Sequence, residues 1–282
     1  MHWPAEHPLH TDDALARWRE PADRLCQDGL ALRVLKHVPG RRVATLVSTS
    51  DGLAVLKVFS SPRARGNDRR LRALGREVGE LIPRALRVDA EGHVGLLSYL
   101  PGRPLESLAG GKFVVASGRV GTALGRLHGC GVVLDRQWTV LDEVAHLRAT
   151  ATPVTETGVE KTIRSCCPAP VQGLVPAHRD LHPGQVVVRD DDVALIDLDE
   201  ATMAPRGLDV GNFLGHLTRD AVLGRRPAAE VVDAGRAFCA GYGETPADTD
   251  CWRQLTLARL AALADTRQGR PDWMDSLLAV LT

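Results

Sequence analysis

The amino-acid sequence predicts an α+β fold in two parts, a strand-rich amino-terminal third followed by a mostly helical remainder. Three observations carry this. Residues 30–59 read as three short strands separated by the turns Pro39-Gly40 and Asp51-Gly52. From Gly118 onward apolar residues recur at helical spacing. One hairpin-like stretch interrupts the helical part, where apolar runs at 186–188 and 193–196 flank Arg189-Asp190-Asp191-Asp192. With 282 residues the chain is long enough for two lobes. The rigid turn Pro101-Gly102-Arg103-Pro104 breaks the last amino-terminal strand and sets the boundary, giving lobes 1–100 and 101–282.

Composition narrows the partners. Aromatic residues are only 4% of the chain, so aliphatic side chains must fill the core. The 35 basic and 35 acidic side chains cancel, which argues against a nucleic-acid partner. No apolar run approaches the ~20 residues that span a bilayer. The six cysteines form no Cys-x-x-Cys pair, and the start MHWPAEHPLH lacks a signal pattern, so a reducing cytoplasm is the expected compartment. A redox pair at Cys166-Cys167 is not expected, because a vicinal disulfide is strained. Lysine occurs only at Lys36, Lys57, Lys112 and Lys161, and this arginine-rich usage matches GC-rich bacterial coding.

In chain order, residues 11–29 carry Leu15, Trp18 and Leu25 among charges, a loosely amphipathic helix capped at Thr11-Asp12 and packed on the outside of the strands after it. Three strands come next. Lys57 interrupts the apolar run AVLKVF of the third; a lysine there can snorkel from a core strand or serve a ligand. Residues 67–81 place Leu71, Leu74, Val78 and Leu81 on one helical face, with Glu77 at its margin, about 80° from the centre, and Glu80 about 140° away. HVGLLSYL at 93–100 is a further strand. Residues 118–132 form a helix with Val120, Leu124 and Leu127 inward, stopped at Gly129-Cys130-Gly131; His128 reads as a capping or packing residue. Residues 135–170 show mixed helical periodicity, with a Thr-rich linker at 150–157. Residues 221–282 read as all-helical.

The central hairpin brings its outer ends together, so His178-Arg179-Asp180 faces Asp197-Leu198-Asp199. If the strand persists, Asp197 and Asp199 share one side. Carboxylates crowded in this way repel one another unless a cation sits among them, and hard oxygen ligands favour Mg²⁺. The acidic turn at 190–192 reads as solvated.

His178, Asp180 and Gln185, followed by Asp197, resemble the His-x-Asp-x-x-x-x-Asn and Ile-Asp motifs of the aminoglycoside phosphotransferase and choline kinase-like family, relatives of protein kinases. Gln185 departs from the Asn usual there. The resemblance implies a bilobal protein-kinase-like fold, with a small antiparallel-sheet N-lobe and a larger helical C-lobe. It also implies ATP-dependent transfer of a phosphoryl group to a hydroxyl of a small molecule. Asp180 is then the catalytic base or orienter of the hydroxyl. Lys57 meets the nucleotide phosphates with Glu77 as its partner, and Ser98, Tyr99 and Leu100 meet the adenine edge. Gln185 and Asp197 hold Mg²⁺, with Asp199 a weaker candidate, and Asp209 ties the catalytic loop's backbone. No Gly-x-Gly-x-x-Gly loop is present; Pro39-Gly40-Arg41-Arg42 occupies that turn, where backbone amides or either arginine could meet a phosphate. Glu230, Asp233, Glu244, Asp248 and Asp250 make the late region acidic, which would suit a cationic acceptor. Competing readings are a metal hydrolase built on His178, Asp180 and His182, a kinase of peptide Ser or Thr hydroxyls, and a nucleotide-binding pseudokinase, to which Gln185 lends support.

Overall fold

Alternation of buried and half-buried side chains marks the second and third strands of the first sheet, while the first strand is mostly exposed. In β1 (Leu30–Val38), β2 (Arg42–Thr49) and β3 (Gly52–Phe59) the chain runs antiparallel through the turns at Gly40 and Gly52, both at positive φ, where glycine is unstrained. The computed structural model describes residues 2–27, 29–166, 173–268 and 274–280. It divides into two units, Met1–Pro101 and Gly102–Thr282.

In the first unit the expected amino-terminal helix is three short ones, α1 (Pro8–Thr11), α2 (Asp13–Ala16) and α3 (Arg19–Cys26). The side chains of His7 and Asp12 each cap a new helix start, and extended backbone at Asp12 separates the first two. These helices cover one face of the sheet. Trp3, Leu9, Leu15, Trp18, Ala22 and Cys26 pack there with Val43, Val47, Ala54, Leu56 and Val58. Burial pushes the Cys26 thiol up to about 12, so it is a core residue and not a nucleophile. α4 (Ala64–Val78) continues into a single 3₁₀ turn, Gly79–Leu81. β4 (Ala85–Val88) and β5 (Val94–Ser98) complete the order β1-β2-β3-β5-β4.

In the second unit β6 (Arg103–Pro104) precedes α5 (Gly110–His128), which starts eight residues before the periodic segment suggests. Fully buried Phe113, lying under the Arg226 guanidinium at 3.6 Å, offsets the poor helix propensity of Gly110-Gly111. The Thr-rich stretch expected to be a mobile linker is a short hydrogen-bonded connection between two helices. Thr139 and Asp142 form a capping box for α6 (Val140–Thr150), and the Thr152 and Thr155 hydroxyls bond each other ahead of α7 (Glu156–Cys166). Cys166 is a free thiol, and Cys167 lies outside the described residues. β7 (Val175–Ala177) leads into the hairpin of β8 (Val186–Arg189) and β9 (Asp192–Leu195), paired Val186 to Leu195 and Arg189 to Asp192. Its acidic turn is solvated, Asp191 being 98% exposed and paired only at the surface with Arg119. β10 (Thr202–Ala204) returns antiparallel to β7.

Four helices complete the unit: α8 (Arg206–Val222), α9 (Ala228–Tyr242), α10 (Thr249–Gln268) and α11 (Met274–Val280). α5 and α9 approach so closely that a Cβ on Gly121 would sit 2.0 Å from the Phe238 carbonyl oxygen. Trp252, Leu255, Leu257, Ala258 and Ala261 of α10 pack with Leu147, Val159 and Leu208 in a second core. Among the described residues no helix is long and apolar enough to cross a membrane.

Candidate active site

Asp180 sits on a loop whose backbone is fixed before the carboxylate is reached. β7 ends at Ala177, and the N–H groups of His178 and Arg179 donate to Asp209 Oδ2 at 2.6 Å and Oδ1 at 2.7 Å. His128 Nε2 approaches the same Oδ2 at 3.1 Å, and both side chains are wholly buried. Burial alone would raise the Asp209 pKa. The hydrogen bond and charge of His128, with the His178 N–H, instead hold it below the usual carboxylate value. Asp209 therefore ties the loop, and His128 is the packing residue that supports it.

The His178 ring spans two segments. Its Nε2 lies 2.8 Å from the Ile196 carbonyl, which only accepts, so Nε2 carries the proton and Nδ1 takes the Asp180 N–H at 3.4 Å. With both nitrogens engaged, His178 is no metal ligand, and His182 Nδ1 already accepts from Gly184 N–H. The hydrolase site of His178, Asp180 and His182 is thus not assembled. Among the described residues no group of three or more His, Cys, Asp or Glu is arranged to hold a metal.

Arg179 adopts the left-handed region at φ 70°, a conformation that costs a non-glycine residue about 1–2 kcal/mol. Its surroundings hold it there. Its carbonyl accepts from Asn212 Nδ2 at 2.6 Å, its Nη1 donates to Glu200 at 2.7 Å, and its guanidinium stacks on Trp138 at 3.4 Å. Asn212 is itself fixed by donors from Thr256, at 2.8 Å, and Arg259. Asp180 is half-buried, and among the described residues its carboxylate has neither a hydrogen bond nor an ion pair. A rigid loop therefore presents an open acceptor.

The expectation that Asp197 and Asp199 alternate along a strand is overturned. β9 stops at Leu195, Asp197 turns left-handed at φ 62°, and residues 198–200 form a 3₁₀ turn. Asp199 is consequently buried, 2% exposed, by the turn and not by strand alternation. Gln185 is brought to Asp197: its Nε2 lies 3.2 Å from Oδ2, and its backbone carbonyl accepts the Ile196 N–H at 2.9 Å. The Asp197 carboxylate and the Gln185 amide could both offer oxygen to a hard cation, since rotating the amide exchanges its nitrogen for Oε1 at the same place.

In the first unit Lys57 pairs with Ala44 on one side and Gly95 on the other, while Val55 pairs with Leu46 and Leu97. Ala44, Leu46, Val55, Lys57 and Leu97 are all half-buried, on the face opposite the amino-terminal helices. Lys57 is therefore not escaping from a core face; it stands on a half-exposed apolar platform. Arg42, opposite Phe59, shares this face two residues along from Ala44. Only the register reveals that.

The structure does not bring Glu77 to Lys57. The buried stripe of α4 is Ala64, Asn67, Arg70, Leu71, Leu74 and Val78, and Glu77 is exposed outside it. A marginal helical position with a charge turns to water when the packed surface offers it no partner. Ser98 is the last residue of β5, with its N–H on the Arg84 carbonyl at 2.9 Å, and half-buried Tyr99 and Leu100 lead the chain out of the sheet. The Pro39-Gly40 turn offers no open amide cradle, because Gly40 N–H donates to Asp12 at 2.8 Å and Arg41 N–H to the Val38 carbonyl at 3.0 Å. The late acidic residues are mostly engaged locally: Glu230 with Arg226, Asp233 with Arg236, Asp248 with Trp252 and Asp250 with Arg253.

A small antiparallel sheet bearing a lysine, a helical unit bearing a tied His-x-Asp loop and an adjoining acidic turn define a protein-kinase-like phosphotransferase fold. Solved structures share it. A choline/ethanolamine kinase family protein from Mesorhizobium loti is 17% identical, with a TM-score of 0.66 over 94% of this chain and 92% of that one. An amicoumacin kinase in complex with AMP-PNP, Ca²⁺ and Ami is 14% identical, with a TM-score of 0.69 over 88% of this chain and 86% of that one. A macrolide 2'-phosphotransferase from Brachybacterium faecium is 18% identical, with a TM-score of 0.59 over 95% and 98%. Comparison with curated protein sequences gives no match. The profile of the phosphotransferase enzyme family matches residues 37–255, and the chain belongs to that family, enzymes that transfer phosphate to a hydroxyl acceptor.

Proposed function

We propose that this protein uses ATP and Mg²⁺ to phosphorylate a hydroxyl of a small molecule. The observation that carries the reading is the half-buried, unpartnered Asp180 carboxylate on a loop fixed by Asp209 and Asn212. A carboxylate so held can accept the hydroxyl proton or orient the hydroxyl without rearranging, a contribution of roughly 10²- to 10⁴-fold. Lys57 and Arg42 supply positive charge for the phosphates, and the platform of Ala44, Leu46, Val55 and Leu97 suits the flat face of a purine. Ser98, Tyr99 and Leu100 are the proposed contacts of its edge. Gln185, Asp197 and Asp199 are the residues that would hold Mg²⁺, which when bound neutralises charge on the phosphates. Phosphoryl transfer is mainly positioning and charge stabilisation, so this set suffices without a protein nucleophile.

Similar proteins support the nucleotide and the small acceptor: one was captured with AMP-PNP and Ca²⁺, another with glucosamine, ADP and inorganic phosphate. The cytoplasm, where ATP is available, is the proposed compartment. The test is ADP release in the presence of ATP, Mg²⁺ and a panel of aminoglycosides, other antibiotics, amino alcohols and sugars, with a Ser/Thr peptide as a further arm. Turnover above the no-acceptor level for a small molecule is the expected result. Nucleotide binding with no turnover across the panel would make the pseudokinase reading the better one.

A further inference from the structure

The turn between β1 and β2 is gripped from behind by the amino-terminal segment. The Asp12 side chain, 9% exposed, accepts from three donors. Oδ1 takes the Ala14 N–H at 3.1 Å, which caps α2, while Oδ2 takes His37 Nε2 at 2.9 Å and Gly40 N–H at 2.8 Å. His37 pairs with Val43, a residue of the core under the amino-terminal helices, so the grip lies on the sheet face opposite Lys57. Beyond the turn, the Arg41 carbonyl accepts from Ser60 N–H at 2.9 Å, and Arg42 emerges on the Lys57 face. A Cβ on Gly40 would meet nothing within 4 Å, so the turn is open on that side, and the bonds made by its N–H groups at Gly40 and Arg41 are those to Asp12 and Val38.

We propose that Asp12 is a positioning residue for nucleotide binding: by holding the Pro39-Gly40 turn it fixes Arg42 beside Lys57 as a preformed cationic pair for the phosphates. This rests on the reading that Lys57 and Arg42 face the nucleotide. The physical reason is preorganisation. A turn that must be ordered when the ligand arrives subtracts that ordering from affinity, whereas one already held does not. The amino-terminal segment thereby gains a role beyond covering the sheet.

Asp12→Ser separates the two jobs of this side chain. Serine is as good an N-cap as aspartate, so α2 is preserved, but its side chain is too short to span to Gly40. The measurements are amide exchange over 38–42, Mg²⁺-ATP affinity by calorimetry, and the split of KM and kcat where turnover is available. The expected result is faster exchange in that segment, weaker nucleotide binding by about five- to tenfold, and kcat within about twofold of wild type. His37→Ala, which removes one of the two outside donors, should give a smaller shift in the same direction. Unchanged exchange overturns the tether, and faster exchange with unaltered affinity overturns its role in nucleotide binding. A loss of kcat and thermal stability without a change in affinity would also overturn it, because that is what a merely structural residue gives. Wild type that fails to bind Mg²⁺-ATP sinks the proposed function itself, a separate and recognisable outcome.

Discussion

Replacing Asp209 with alanine removes the acceptor of three donors at once, the buried His178 N–H and His128 Nε2 and the part-buried Arg179 N–H. A buried donor left unsatisfied costs ~1–3 kcal/mol, and water entering the space left by the carboxylate recovers part of that. The net loss should be about 3–5 kcal/mol, the range found when one partner of a buried pair is deleted. At roughly 2–4 °C per kcal/mol for a chain of this order of size, the melting temperature should fall by ~6–20 °C. Activity should fall further than the folded fraction does. Arg179 at φ 70° loses one of the bonds that hold it, the loop relaxes, and a displacement near 1 Å at Asp180 is worth about 10² in rate. Urea unfolding paired with turnover at a temperature where the variant is still folded tests both halves. A destabilisation under about 1 kcal/mol with wild-type turnover would refute the argument. The pH dependence has a defined sign. Because the folded pKa of Asp209 is lowered, its contribution is present above the ordinary carboxylate value and disappears as pH falls through the depressed one. Wild type should therefore lose stability in acid more steeply than Asp209→Ala.

Asp180→Ala should lower turnover by at least ~10²-fold and leave Mg²⁺-ATP affinity within a few-fold, as calorimetry beside a kinetic assay would show; near wild-type turnover removes Asp180 from the mechanism. Lys57→Ala should weaken nucleotide binding or turnover by about tenfold or more, and no change in either would return it to an ordinary strand lysine. Gln185→Ala should raise the Mg²⁺ concentration that gives half-maximal activity, while Gln185→Asn should be tolerated, since it keeps the carbonyl on a shorter arm; an unaltered Mg²⁺ titration in the alanine variant would show that Gln185 is not a ligand.

Three strands of the first unit, β1 to β3, were legible because their turns are chemically explicit, whereas β4 at Ala85–Val88 was not anticipated. Asp51-Gly52 and Pro39-Gly40 leave few alternatives, and period-2 burial in β2 and β3 comes from the order of apolar residues. The family was legible from His178, Asp180, Gln185 and Asp197, because a motif is read from residue type and near-neighbour spacing alone. Helix starts were less so. α5 begins at Gly110-Gly111 because Phe113 and Arg226 meet across more than a hundred residues, a contact that local propensity cannot anticipate. The Thr-rich segment misleads in the same way, since Thr152 reaches Asp265 far along the chain.

The sequence by itself determined the family and the alternation of β2 and β3, since these depend on residue type and near-neighbour spacing. Only the tertiary structure decided which way individual side chains point. Glu77 faces water, Arg42 joins Lys57's face, Asp199 is buried by a 3₁₀ turn, and Asp12 reaches across to Gly40. Each depends on where a strand ends, how a register falls or what a distant segment covers, and those are set by packing and hydrogen bonding between parts of the chain far apart in sequence.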